Sequence, residues 1–259
     1  MRGGGLYCGD RVDFDEKELV VEKAHKRNNL FIRPPVANVT RALIVTAIAP
    51  QPDLLLIDKM LVKCFKEKAE PVVCMDKNDL PLAAEFFERL TANYSAAAEK
   101  IISVSAKTGD GIDKIAGLIS GAGQITCVAG QSAMGKSSVL NALLPLINAQ
   151  VGELSQKSGR GKHTTRHTEM FALPEGGYIA DTPGFSLLEE EGVEAERLKY
   201  YYPEFIELQN ECRYNACNHI NEPGCVVLQN IGRSISAERH ARYKDFYKEL
   251  ETFHKNKYK

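Results

Sequence analysis

Short apolar runs and longer amphipathic segments alternate through the middle of the chain. The apolar runs have the length of strands and little polar alternation, and they predict six strands, at 42–49, 71–75, 101–104, 125–129, 169–173 and 178–180. Helix candidates lie at 53–67, 81–92, 112–119 and 135–144. Buried strands separated by helices are typical of a mostly parallel sheet covered on both faces, so we predict an α/β fold. The short gap at 174–177 indicates a hairpin for the last two strands.

The two ends of the chain follow other patterns. Before residue 36 the sequence offers only short strand candidates, at 10–14, 18–25 and 29–33, and the pair Pro34-Pro35 ends them. Beyond residue 188 the chain is acidic, then rich in cysteine and finally helical, with apolar residues from Ala241 to Phe253 spaced as one helix face requires. We therefore predict three units, at 1–35, 36–188 and 189–259.

Composition and charge narrow the class of protein. The longest apolar run has eight residues, well below the roughly 18 that a membrane helix needs, and no secretory leader pattern opens the sequence. We therefore expect a cytoplasmic protein without membrane attachment. The formal net charge is −1, yet residues 155–168 are basic, 181–211 acidic and 233–259 basic again. This segregation indicates distinct charged surfaces.

A phosphate-binding loop is the strongest motif. The segment GQSAMGKSS follows the strand candidate at 125–129 and opens the helix candidate at 135–144, which is the setting that a P-loop needs. Backbone N–H groups and the helix N-terminus would surround the phosphates, Lys136 would neutralise their charge, and the Ser137 hydroxyl would bind Mg²⁺. Ala133 stands where many such loops have glycine. The candidate phosphate-binding residues are Gly130, Gln131, Ser132, Ala133, Met134, Gly135, Lys136, Ser137 and Ser138.

Residues that would sense the γ-phosphate follow the loop. Asp181, at the end of a strand candidate, would hold the Mg²⁺ shell through water. The N–H of Gly184 would bond the γ-phosphate and allow a switch. Thr164 or Thr165 would supply a second Mg²⁺ ligand from a loop.

The group that orients the attacking water needs a separate argument. Phe185 occupies the position where many GTPases carry a glutamine, and an apolar ring cannot orient water. His163 immediately precedes the threonine pair and is placed to swing toward the γ-phosphate. We take His163, Thr165 and Gly184 as catalytic candidates; the alternative for His163 is an exposed histidine in a basic loop.

The segment DKND at 76–79 resembles the Asn-Lys-x-Asp motif that reads guanine. The carboxylate of Asp79 would accept hydrogen bonds from guanine N1–H and N2–H₂, a donor pair that adenine lacks. Lys77 would lie over the base and the phosphate loop. The triplet Ser105-Ala106-Lys107 completes the base-reading set, with a backbone N–H of Ser105-Ala106 meeting guanine O6.

Asp76 departs from this motif because an amide is expected at its position. A carboxylate near guanine N7 and O6, which are both acceptors, repels them unless it bonds protein donors instead. We therefore predict a weakened affinity for GTP, with guanine preference resting on Asp79 and Ser105-Ala106.

A cysteine–histidine cluster reads Cys212-x4-Cys217-x-His219-x5-Cys225. Three thiolates and one imidazole match a closed tetrahedral Zn²⁺ site, which contributes folding energy where a segment has little core. With no open ligand position, this metal is expected to be structural. The remaining cysteines are scattered and are interpreted as reduced thiols: Cys8, Cys64, Cys74 and Cys127.

The motifs occur in a rotated order. The base-reading segments come first, the phosphate loop follows, and DTPGF at 181–185 comes last, whereas a conventional small GTPase begins with the phosphate loop. With this order, the segment GRGKHTT at 159–165 and the cysteine–histidine cluster, the chain resembles the RsgA (YjeQ) family of circularly permuted GTPases. The resemblance runs from about Gly9 to the C-terminus.

The resemblance implies an N-terminal OB-fold, a permuted P-loop GTPase domain and a zinc-binding, mainly helical C-terminal domain. It also implies slow GTP hydrolysis, stimulated by the 30S ribosomal subunit during its late maturation, with 16S rRNA contacts and release after hydrolysis. The expected cofactors are GTP or GDP, Mg²⁺ and Zn²⁺, and the expected state is a monomer. An OB barrel needs five strands and the first 35 residues offer three, so we expect a truncated or incomplete barrel.

On this resemblance, phosphate and Mg²⁺ binding fall to Gly130, Lys136, Ser137, Thr165, Asp181 and Gly184, and base recognition falls to Lys77 and Asp79. Two other functions stay open. Asp76 and the missing glutamine also fit a nucleotide-dependent RNA-binding scaffold with negligible turnover. An ATPase is disfavoured by Asp79 and Ser105-Ala106.

Overall fold

The computed structural model of the protein describes residues 5–32, 35–151, 168–181 and 192–257. The strands within these ranges are β1 (Val12–Asp15), β2 (Val20–Ala24), β3 (Leu30–Ile32), β4 (Pro35–Ala37), β5 (Arg41–Ala47), β6 (Glu70–Asp76), β7 (Lys100–Ser103), β8 (Ile125–Ala129), β9 (Glu169–Ala172) and β10 (Tyr178–Asp181). The α-helices are α1 (Leu54–Glu67), α2 (Ala83–Tyr94), α3 (Ile112–Ile119), α4 (Lys136–Val151), α5 (Pro203–Ile206), α6 (Val226–Gln229) and α7 (Ala237–Lys257).

Six strands form the central sheet, in the order β7-β6-β5-β8-β10-β9. β5 pairs in parallel with β6 and β8, β6 pairs in parallel with β7, and β8 with β10. β9 pairs antiparallel with β10, which confirms the hairpin predicted around residues 174–177. The predicted α/β fold with a mostly parallel sheet is confirmed.

Helices cover both faces of this sheet, because alternate residues of the buried strand β5 point to opposite sides. Ile44 joins an apolar cluster with Met60 of α1. Leu43 and Val45 join a second cluster, which contains Leu140 of α4. The loops that follow the parallel strands therefore meet at one edge of a sheet that is held from both sides.

The ends of the helices show local causes. α1 begins at Leu54 because the side chain of Asp53 accepts a hydrogen bond from the N–H of Leu56 at 3.1 Å and caps the helix. α2 lies two residues further along the chain than predicted, at Ala83–Tyr94. α4 continues past its predicted end at 144 and includes Pro145.

The N-terminal strands form two hairpins, β1–β2 and β3–β4. The second hairpin spans the predicted unit boundary at residue 35 and packs on the sheet. Phe31 and Val36 are buried in the same cluster as Ile44. The side-chain amide of Asn29 donates to the carbonyl oxygen of Glu67, at the end of α1, at 2.8 Å. The three predicted units stay a prediction, with this hairpin attached to the second of them.

The C-terminal segment is mainly helical, with the 3-10 helices Ala195–Tyr201 and Gln209–Glu211 preceding α6. Its apolar cluster is built around Phe205 and Tyr243 and includes Val62 of α1. None of the helices in the described ranges is long and apolar enough to cross a membrane.

The buried face of α7 differs from the predicted one at its start. Tyr243, Phe246 and Leu250 are buried as predicted, whereas Ala241 is exposed. Arg239 and His240 occupy the buried face in its place. Both find hydrogen-bond partners in neighbouring elements, which makes the burial of their polar groups tolerable.

A buried ionic network, here called the α1–α7 joint, connects α1 to the C-terminal segment and consists of Asp58, Glu204, Arg239 and Arg242. Arg239 Nη1 donates to Asp58 Oδ1 at 2.7 Å, and Arg239 Nε donates to Glu204. Arg242 Nε donates to the other oxygen of Asp58. The side chains of Asp58 and Arg239 are 0% and 1% exposed, so both charges depend on their partners.

Candidate nucleotide and metal sites

The P-loop backbone has positive φ angles at two of its glycines, Gly130 and Gly135. Gly130 has a φ of +134°, and a Cβ there would lie 2.1 Å from the carbonyl oxygen of Val45 on β5. Gly135 has a φ of +98°, and a Cβ there would lie 2.1 Å from Asp76 Oδ2. Ala133 adopts a φ of +66°, the left-handed region that the missing glycine would occupy without strain.

Lys136 folds back over the loop. Its ammonium group donates to the carbonyl oxygens of Gly130 and Gln131 at 2.8 and 2.7 Å. Burial lowers the pKa of the Lys136 amine below its usual value, and the carboxylate of Asp181 at the end of β10 opposes this shift. The structure thus brings the lysine and the strand-end aspartate to the same loop.

A second contact links the P-loop to α1. The side-chain oxygen of Gln131 accepts a hydrogen bond from the N–H of Asp53 at 2.9 Å. Asp53 is the N-cap of α1, so the loop is bonded directly to the start of this helix. The sequence analysis missed this contact. The aspartate before an apolar run signals the cap, but no local pattern identifies Gln131 as its neighbour.

The base-reading segments line one cleft of about 570 Å³ beside the P-loop helix. Asp79 accepts a hydrogen bond from the Ser105 hydroxyl at 2.8 Å, and this bond is the main cause that holds the pKa of the Asp79 carboxyl below its usual value. Lys107 lies 3.6 Å from the same carboxylate. The cleft is lined by Asp76, Lys77, Asp79, Leu80, Ala106, Lys107, Ser138, Asn141 and Ala142.

Lys77 bridges two loops at the edge of the cleft. Its ammonium group donates to the carbonyl oxygen of Ala49 at 2.6 Å and to that of Ala133 at 3.3 Å. The second contact places Lys77 over the P-loop, where the sequence analysis expected it.

Asp76 is 2% exposed at the end of β6. Its Oδ1 accepts the backbone N–H of Ala106 at 2.8 Å. The carboxylate therefore bonds a protein donor, which is the arrangement that makes a charge tolerable at this position. The Ala106 N–H, expected to meet guanine O6, is directed to Asp76 in this structure.

Some predicted nucleotide-site residues can be placed and others cannot. Ser132, Ser137 and Ser138 are exposed on the P-loop side, and Met134 is buried beneath the loop. His163, Thr164, Thr165 and Gly184 lie outside the described residues, so their approach to the phosphates stays a prediction.

The cysteine–histidine cluster is closed and buried. The ligand atoms of Cys212, Cys217, His219 and Cys225 all lie within 4.8 Å of one another. His219 Nδ1 is 3.3 Å from Cys225 Sγ and 3.7 Å from Cys212 Sγ. Three thiols and one imidazole nitrogen converging on a single point match the donor set of a structural Zn²⁺ site.

The protonation chemistry of the cluster fits a cation. Burial, aided by Lys199, lowers the pKa of His219 to about 4, so the imidazole is neutral and able to bind a metal. Burial also raises the pKa of Cys225 to about 12 and that of Cys217 above its usual value. A bound divalent cation would stabilise these thiols as thiolates.

Hydrogen bonds from outside the cluster hold the loop between its ligands. Lys199 donates to the carbonyl oxygen of Cys217 at 2.8 Å. The carbonyl oxygen of His219 is 2.8 Å from His240 Nε2 on α7. Glu222 accepts N–H groups of this loop from Asn218 at 2.7 Å and Ile220 at 2.8 Å. Sequence spacing identified the ligands and missed this supporting layer, because its members come from three different segments.

The sequence model of the RsgA GTPase family matches residues 24–191, more than half of the chain. The chain belongs to the RsgA GTPase family. Its fold class, its permuted motif order and its GTPase activity follow from that membership, with GTP or GDP and Mg²⁺ as the ligands of the nucleotide site. The cysteine–histidine cluster is consistent with the Zn²⁺ predicted from the spacing.

RsgA relatives are similar over most of the chain. The Small ribosomal subunit biogenesis GTPase RsgA of Caldanaerobacter subterraneus subsp. tengcongensis is 40% identical, over 95% of this chain and 82% of its own length. That of Geobacillus thermodenitrificans is 38% identical, over 96% and 89%.

Two solved structures have the same fold. YjeQ from Thermotoga maritima has a TM-score of 0.80 at 34% identity, over 95% of this chain and 84% of its own. YloQ, described as a circularly permuted GTPase, has a TM-score of 0.77 at 27% identity, over 97% and 83%.

Proposed function

We propose that the chain is a GTP hydrolase that acts as a ribosome-dependent switch in late maturation of the small ribosomal subunit. The observation that carries the proposal is a cleft that places Asp79, the candidate guanine-reading residue, beside the helix that begins at the P-loop. Asp79 is oriented by Ser105 at 2.8 Å beside the helix that the P-loop opens. The relatives named Small ribosomal subunit biogenesis GTPase support the biological role.

The roles we propose for individual residues follow the geometry of the loop. Lys136 would exchange the carbonyl oxygens of Gly130 and Gln131 for phosphate oxygens, which carry more negative charge. Ser137 would bind Mg²⁺ directly and Asp181 would hold its water shell. When bound, Mg²⁺ would neutralise charge on the β- and γ-phosphates.

The remaining roles belong to residues placed by sequence alone. Thr164 or Thr165 would supply a second Mg²⁺ ligand, and the Gly184 N–H would bond the γ-phosphate. His163 would orient the attacking water, because Phe185 occupies the position of the usual glutamine. We expect a low intrinsic rate of hydrolysis that a partner raises.

We further propose that the protein acts in the cytoplasm as a monomer that contacts 16S rRNA. The exposed ring of Phe14, which is 53% exposed, supports a base-stacking surface on the β1–β2 hairpin. The guanidinium of Arg213 lies 5.5 Å from the ring centroid of Tyr214, a pair suited to stack on bases. The zinc-bound unit would present this second surface.

Phosphate release with and without small ribosomal subunits tests the proposal. We expect subunits to accelerate the wild-type chain, and His163→Ala to lower the stimulated rate by about 100-fold, the smaller end of what general acid–base and positioning groups contribute. His167→Ala, a histidine of the same basic segment, is the matched control and should keep most of the rate. A chain that binds GTP but shows no acceleration would instead be a nucleotide-dependent RNA-binding scaffold.

A further inference from the structure

Asp76 occupies the position where the base-reading segment departs from its motif, and both of its carboxylate oxygens contact the protein. Its Oδ1 accepts the Ala106 N–H at 2.8 Å. Its Oδ2 lies against Gly135, where a Cβ would come within 2.1 Å of it. Asp76 therefore touches both the loop after β7 and the P-loop, and it lines the cleft that holds Asp79.

An amide at this position would offer one acceptor and two donors, whereas an ionised carboxylate offers acceptors only. The contact with Ala106 needs an acceptor, and Asp76 provides it as an amide oxygen would. The change therefore keeps the acceptor for the Ala106 N–H and removes the donors.

The edge of guanine that Asp79 does not read presents N7 and O6, and both atoms are acceptors. Residue 76 cannot donate to either of them, and the Ala106 N–H already donates to Asp76. Lys77, the lysine next to Asp76, donates to the carbonyl oxygens of Ala49 and Ala133. A guanine read by Asp79 would thus present its N7 edge to a carboxylate where the motif supplies a donor.

We propose that Asp76 is a specificity-determining residue that withholds from N7 the donor that its motif position normally supplies, so that purine selection rests on the N1/N2 edge read by Asp79. This inference rests on the nucleotide site proposed above. It predicts that the protein tolerates, or prefers, a purine whose position 7 carries C–H in place of the N7 lone pair. The pocket would accept 7-deazaguanine nucleotides as well as guanine nucleotides.

The test compares equilibrium dissociation constants of GTP and 7-deaza-GTP, which present identical N1 and N2 groups. For the wild type we expect 7-deaza-GTP to bind as tightly as GTP or tighter. For Asp76→Asn, which keeps the acceptor for Ala106 and restores the donor, we expect the preference to move toward GTP by about fivefold, the value of one ordinary hydrogen bond.

Asp79→Asn is the matched control, because it replaces one of the two acceptor oxygens that read N1–H and N2–H₂ with a donor and leaves position 7 alone. It should weaken both nucleotides and leave their ratio unchanged. If Asp79→Asn left the affinity for GTP unchanged, the nucleotide site proposed above would be wrong. That outcome differs from the two results that would overturn the role of Asp76 alone.

Two results would overturn the inference. One is a wild type that binds GTP about fivefold tighter than 7-deaza-GTP, because a donor would then face N7. The other is an unchanged ratio in Asp76→Asn with the same melting temperature as the wild type, because residue 76 would then not reach the base.

Discussion

The nucleotide site and the cysteine–histidine cluster differ in what satisfies their polar side chains. At the nucleotide site the charged groups have protein partners: Asp79 accepts from Ser105 in the cleft, and Lys136 donates to two carbonyl oxygens of the P-loop. In the cluster, buried thiols face one another and an imidazole, and burial raises the pKa of Cys225 to about 12. The protein itself therefore satisfies the charged groups of the nucleotide site, whereas a cation would satisfy the ligands of the cluster.

The surroundings explain this difference. The cleft lies at the ends of parallel strands whose core is closed on both faces by α1 to α4. The cluster lies in a segment of 3-10 turns and four-residue helices, where metal–ligand bonds would stand in for regular backbone pairing. A site on a sheet can exchange ligands without losing its shape, and a site that organises its own segment cannot.

Removing the metal should give the largest effect on stability, and it tests most directly whether the cluster depends on a ligand that the nucleotide site does not need for folding. Structural Zn²⁺ sites contribute about 10 kcal/mol or more, comparable to the whole stability of a typical domain. We expect a strong chelator, or Cys217→Ser, to abolish hydrogen-exchange protection in residues 192–257 and to leave GTP binding measurable. Cys8→Ser, at a cysteine outside the cluster, is the control. Equal protection with and without metal would contradict the assignment.

Breaking the α1–α7 joint should give the next largest effect. Arg239→Met leaves Asp58 buried with one partner fewer, and losing one member of a buried ion pair costs about 3–5 kcal/mol. Arg89→Ala, which removes an exposed pair with Glu238, should cost about 1 kcal/mol or less. Urea denaturation of both variants measures the difference. Similar costs would show that the joint is not buried in solution.

The smallest expected effect concerns the P-loop itself. Ala133→Gly removes the strain of an alanine in the left-handed region. The greater conformational entropy of glycine in the unfolded chain offsets part of this effect, so we expect the unfolding free energy to rise by about 0.5 kcal/mol. Ser132→Gly, at a neighbour without a positive φ, should lower stability by a similar amount. A destabilised Ala133→Gly would mean that the loop backbone is not the one described.

Features set by local pattern were predictable from the sequence. Continuous apolar runs located the sheet because parallel strands buried on both faces must lack polar alternation. Fixed spacing located the P-loop and the four metal ligands, since each chemistry requires those residue types at short intervals.

Features that depend on distant partners were not predictable. Asp58 looks like a polar residue on an amphipathic helix, and its partner Arg239 is 181 residues away. The spacing of apolar residues predicts that Ala241 lies on the buried face of α7. The first turn of that helix instead buries Arg239, because the carboxylate of Asp58 accepts its hydrogen bond. Likewise, the sequence pattern predicts that the Ala106 N–H meets guanine, whereas Asp76, 30 residues earlier in the chain, accepts this N–H in the structure.

The α1–α7 joint also has a consequence for how the chain folds as it is synthesised. Strands β5, β6 and β7 are neighbours in both sequence and sheet, so the half that reads the base can pair as it leaves the ribosome. Asp58 is made with this half, but its two arginines arrive 181 and 184 residues later. Until then its carboxylate stays in water. We expect α7 to dock last, closing the molecule only after the P-loop strand has joined the sheet.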